Sequence, residues 1–65
     1  MVVRAVVLGV EGLFPYYNDQ TNFRCTYKIL RRGKKRLRFD YVVGSDELDA
    51  YLQVQQRLRD RGYKV

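Results

Sequence analysis

Histidine and tryptophan are missing from this 65-residue chain, and cysteine, proline and methionine occur once each. The lone Cys25 excludes an intrachain disulfide, and with no histidine a structural zinc site is implausible. With no histidine and no plausible nucleophile–base pair, the sequence reads as non-enzymatic, with no catalytic residue, no metal and no cofactor expected. Long apolar runs are also lacking. The opening eight residues are mostly apolar, but Arg4 interrupts them, and no stretch approaches the roughly 18 residues of a membrane span. They carry neither a basic leader nor a small-residue cleavage site, so the expectation is a cytoplasmic protein that does not enter a membrane.

Acidic residues are absent where the basic ones gather. Between Arg24 and Arg38 stand Arg24, Lys28, Arg31, Arg32, Lys34, Lys35, Arg36 and Arg38, eight of the thirteen cations, with no acid among them. The rest of the chain carries five cations against seven acids, so the net charge of +6 is localised. Composition allows a core: 46% of the residues are apolar, with six tyrosines and three phenylalanines. A chain of this length forms one domain at most and buries only about 60% of its unfolded surface.

The pattern along the chain predicts an α+β fold, a small three-stranded antiparallel sheet packed against one C-terminal helix (β-β-β-α), as a single domain over residues 1–65. Valine-rich residues 2–11 form a first strand with two apolar faces, Val2/Val6/Leu8/Val10 and Val3/Ala5/Val7. The second of these needs a cover, and Val3, Ala5 and Val7 are accordingly a candidate homodimer strand. Residues 12–22 read as a long loop, with Gly12, Pro15 and the Asn18-Asp19 pair favouring turns. Residues 23–30 and 36–43 alternate as a hairpin around Gly33. Phe23, Cys25, Tyr27 and Ile29, with Leu37, Phe39, Tyr41 and Val43, are expected to face inward. Arg24, Lys28, Arg36, Arg38 and Asp40 are expected to face outward. Ser45 is the expected helix N-cap, followed by Asp46, Glu47 and Asp49 where the helix dipole favours acids. Leu48, Tyr51, Leu52, Gln55 and Leu58 supply the expected apolar stripe, and Gly62 the C′ position.

That alternation would place one sign of charge on one exposed surface. A concentrated positive field matches nucleic acid, DNA or RNA, with Arg24, Lys28, Arg36 and Arg38 as surface contacts and Arg31, Arg32, Lys34 and Lys35 at the tip. Arginine suits guanine edges and lysine suits phosphate. Phe14, Tyr16 and Tyr17 are candidate stacking or partner-anchor residues. The alternative is a protein-binding module or inhibitor that docks the basic hairpin and aromatic loop on an acidic protein surface. Solubilising charge is the bland account of the cations, and an inert buried thiol that of Cys25.

The segment from Lys34 through Phe39, followed by Gly44-Ser45-Asp46-Glu47-Leu48, resembles in outline the last strand and helix start of a small DNA-binding domain. That domain occurs in the arm-binding regions of phage-type tyrosine recombinases and in a class of plant transcription factors. The resemblance spans about the last 40 residues and rests on architecture. It implies a sheet that meets the DNA major groove with the helix behind it, and it carries over no individual residue.

Overall fold

The computed structural model describes residues 2–15, 18–33 and 36–65. Strand β1 runs over Arg4–Pro15, β2 over Thr21–Leu30 and β3 over Leu37–Gly44, and helix α1 follows at Glu47–Asp60. The strands lie in the order β1-β2-β3, antiparallel throughout. Helix α1 covers one face through Ala50, Val54 and Leu58, which bury against Phe23, Cys25, Tyr27 and Val42. The expected β-β-β-α arrangement is the observed one.

Several details differ from the sequence-based expectation. The first strand continues to Pro15, where proline is tolerated because it ends an edge strand. The expected loop is cut back at both ends, since β1 runs to Pro15 and β2 begins at Thr21, and within it Asn18 and Asp19 take φ of 56° and 60°. Asn and Asp tolerate this left-handed region better than other non-glycine residues. Register shifts between Val7 and Gly9, and between Gly12 and Phe14, reset the phase of β1. Ala5, Val7 and Val10 therefore lie over Ile29, Tyr27 and Cys25 on the helix side, and Val6 and Leu8 remain exposed.

The phase of β3 is opposite to the expected one. Tyr27 pairs with Arg38, Cys25 with Asp40 and Phe23 with Val42, so Arg38, Asp40 and Val42 lie on the helix side. Leu37, Phe39 and Tyr41 face outward and are exposed. A one-residue shift exchanges the two faces of a strand, and here Arg57 of the helix and Arg61 at its C-cap meet the carboxylate that the observed phase turns inward. Asp40 Oδ2 lies 3.3 Å from Arg57 Nη1 and 3.7 Å from Arg61 Nη2, so a carboxylate can sit beneath the helix.

The helix N-cap is Asp46, not Ser45: Asp46 Oδ1 accepts from the Asp49 amide at 2.8 Å. Asp49 Oδ2 accepts in return from the Ser45 amide at 2.9 Å, so two orphan donors are satisfied reciprocally. The buried stripe is Ala50, Val54 and Leu58, whereas Leu48 and Leu52 are exposed. At the other end, Gly62 takes φ 94° at the C′ position as expected. The Gly62 amide donates to Arg59 O and the Tyr63 amide to Leu58 O, each at 2.9 Å, a Schellman closure.

Both sheet edges are blunted. Lys64 bridges to β1 through Ala5 N to Lys64 O and Lys64 N to Val3 O, each 2.9 Å. On β3, Arg57 donates to Tyr41 O at 3.1 Å and Gln53 to Val43 O at 2.9 Å. Side chains of the helix thus occupy carbonyls that a further strand would need. The bulges twist the remaining length of β1. Among the described residues no helix is long and apolar enough to cross a membrane.

Candidate nucleic-acid interface

The uncovered face of the sheet is read in rows across the strands. Arg4 lies beside Leu30; Val6, Lys28 and Leu37 form the next row; then Gly9, Thr26 and Phe39; then Glu11, Arg24 and Tyr41; finally Phe14, Asn22 and Val43. Phe39 is 52% exposed, and Tyr41 and Phe14 are each 61% exposed. Gly9 contributes no side chain, and an added Cβ there would meet nothing within 4 Å, so the floor beside Thr26 and Phe39 is bare.

Arg24 is fixed at the centre of this face. Its Nη2 lies 3.0 Å from Glu11 Oε2, and its guanidinium carbon stands 5.5 Å from the centroid of Phe39. The hydrogen bond from Arg24 to Glu11, with the charge of that carboxylate, raises the pKa of the guanidinium above its ordinary value. Lys28, four residues along β2, shares the face with it.

Acids and the exposed aromatics of the strands are segregated between the two sides. Glu11 alone of the seven acids lies in these rows. Asp19 is in the β1–β2 turn, Asp40 is under the helix, and Asp46, Glu47, Asp49 and Asp60 belong to α1 or its cap. Open β-sheet faces usually carry polar residues. This one carries exposed aromatics and cations.

The basic residues anticipated as one surface are divided. Arg24 and Lys28 lie on the open face with Phe14. Arg31, Arg36 and Arg38 lie on the opposite side, where they line a common cleft with Ile29. Arg32 is exposed in the β2–β3 turn. Lys34, Lys35, Tyr16 and Tyr17 fall outside the described residues. A single cationic ridge over Arg24, Lys28, Arg36 and Arg38 is therefore corrected: alternation separates the cations of β2 from those of β3 because paired rows have opposite parity in the two strands. Val3, Ala5 and Val7 also change role. Ala5 is buried and Val3 and Val7 pack against the core, alongside Tyr63 and Val65, so the surface anticipated for a second copy is covered within the chain.

Cys25 is fully buried, with its thiol 4.0 Å from Ala50 O. Burial, aided by the Asp40 charge and opposed by Arg57, pushes the thiol pKa above its ordinary 9.0. Phe39, Tyr41, Leu37 and Arg4 were not anticipated at the interface. Only the Asp40–Arg57–Arg61 contact, made across the fold, could have signalled the phase that exposes the first three. No family model matches this chain, and no curated protein or solved structure matches it significantly.

Proposed function

We propose that this protein binds single-stranded nucleic acid on the open face of its sheet. Phe39 and Tyr41 stack on bases, Phe14 extends the platform at one end, and Lys28, Arg24 and Arg4 meet phosphates. The observation that carries this reading is the exposure of those aromatics on one face with cations and a single acid. Charge complementarity favours a polyanion, since a second copy of the same face would bring like charges together. Aromatic platforms suit unpaired bases, whose faces are accessible, better than the paired edges of a duplex groove. The blunted edges of β1 and β3 disfavour a partner that adds a strand. Arg24 is already stacked on Phe39 and presents its own planar surface to a base.

The exposed aliphatics Val6, Leu30 and Leu37 on the same face favour a second reading, docking on an acidic protein surface. Fluorescence-anisotropy titration with labelled single-stranded DNA and RNA, and with a duplex, separates the two. Saturable binding of a single strand is expected. Replacing Phe39 and Tyr41 together with alanine is expected to weaken it by at least about 30-fold, equivalent to about 2 kcal/mol. Both side chains are exposed, so the melting temperature should barely move. A protein that ignores every oligonucleotide at low salt loses this function and leaves the acidic-protein reading standing.

A further inference from the structure

Arg31, Arg36 and Arg38 converge on the side of the hairpin that faces away from the stacking platform. Together with Ile29 they line a cleft of about 180 Å³. Its location follows from the lengths of the elements. Helix α1 ends near Tyr27, whose hydroxyl accepts from Arg61 at 3.3 Å, while β2 continues past it to Leu30. The helix side of the hairpin end is therefore uncovered by α1. Ile29, in phase with Tyr27, forms the apolar floor, and Arg38 enters from β3 opposite Tyr27. The Arg31 amide donates to Ile29 O at 3.1 Å, turning the chain back at this point.

Three guanidinium groups around one small cleft repel each other unless an anion joins them. Among the described residues none of the three lies within 4.0 Å of a carboxylate, whereas Arg24, Arg57 and Arg61 all do. We propose that this cleft binds a phosphate group. Arginine forks match phosphate oxygens in pairs, and a phosphomonoester brings close to two negative charges and three acceptor oxygens where a carboxylate brings one charge. The volume is below the roughly 300 Å³ at which pockets begin to hold whole small molecules, so it suits the phosphate itself with the remainder of the ligand outside. The group comes either from the end of a nucleic-acid strand or from free phosphate. The site lies behind the sheet and does not depend on stacking at Phe39 and Tyr41.

The test is NMR titration of the full chain with inorganic phosphate, following backbone amides and arginine Nε–H signals, against sodium chloride at matched ionic strength. Saturable shifts at Arg31, Arg36 and Arg38 are expected by about 10 mM phosphate. They should disappear in Arg36→Gln and persist in Lys28→Gln. All three arginines are exposed, so Arg36→Gln should keep its spectrum elsewhere, and Arg31→Gln is a second variant at the same cleft. Equal shifts with chloride, or unchanged phosphate binding in both glutamine variants, overturn the proposal. An oligonucleotide with a 5′-phosphate, compared with its 5′-hydroxyl form, then identifies the source. Tighter binding of the phosphorylated strand that is lost in Arg36→Gln points to a strand end, and equal binding points to free phosphate.

Discussion

Cys25 and Asp40 are neighbours across β2 and β3, and each is set by what lies over it. The thiol is sealed beneath Ala50 and held above its ordinary 9.0 by burial first and the Asp40 charge second. The folded protein thus binds that proton more tightly than the unfolded chain. The stability this contributes is complete below pH 9 and is lost as pH rises through the folded value. Urea midpoints measured from neutral to alkaline pH should fall more steeply for the wild type than for Cys25→Ala above the ordinary thiol range; parallel profiles would dismiss the effect. Asp40 has an 18% exposed side chain, while its partners Arg57 and Arg61 are near half exposed, so solvent screens the pair. Asp40→Asn should cost about 1 kcal/mol. Asp40→Val should cost less, since the arginines can turn to water and valine suits a strand. Denaturant titration of both variants checks the order, and a larger loss for valine sinks it. The burial of Cys25 was legible because it shares the phase of Phe23 and Tyr27. The position of Asp40 was not. A carboxylate amid Phe39, Tyr41 and Val43 reads as solvent-facing, and the arginines that draw it inward belong to the far end of a different element.

Between β3 and α1 the junction is tight, and Gly44 is the reason it closes. A Cβ at this buried position would stand 2.7 Å from Asp49 Oδ2 and 3.2 Å from Gln53 Nε2. Asp49 cannot yield freely, because that oxygen accepts the Ser45 amide, and Gln53 caps Val43 O on the sheet edge. Gly44→Ala should therefore loosen the helix start and the β3 edge together, at a cost of about 1 kcal/mol or more. Thermal melting with amide exchange at Ser45 and Asp49 reads both effects, and an alanine variant of unchanged stability with full protection at those amides would refute the coupling. Sequence periodicity caught only part of the buried helix stripe. Leu58 is buried as expected, but the phase of α1 turns Ala50 and Val54 toward Cys25 and Val42, which leaves Leu48 and Leu52 in water. The C-terminal end was legible through Gly62, because a left-handed C′ position is a local backbone demand that glycine meets wherever the helix packs.

Across the whole molecule, charge and aromatic surface are arranged in two directions from one hairpin. Four of the seven acids sit in α1 or its cap, the open face bears Arg4, Arg24 and Lys28 among exposed aromatics, and the hairpin end behind it bears Arg31, Arg36 and Arg38. The total of +6 was legible, but its partition depended on cross-strand register. This partition makes stacking and charge separable in binding data. Each phosphate neutralised on a single strand lowers the slope of log K against log salt by about 0.7, whereas stacking on an aromatic ring releases no counterion. Lys28→Ala should thus make the slope shallower by about 0.7. The Phe39/Tyr41 alanine pair should lower affinity at every salt concentration and keep the wild-type slope. Arg24→Ala should move both quantities, because its guanidinium lies over Phe39 and beside Glu11. Anisotropy titrations of one single-stranded oligonucleotide at four salt concentrations resolve the three patterns. Identical slopes for wild type and Lys28→Ala would remove the open-face cations from contact with phosphate, and a changed slope for the aromatic pair would mean that Phe39 and Tyr41 act by shaping the sheet instead of by stacking.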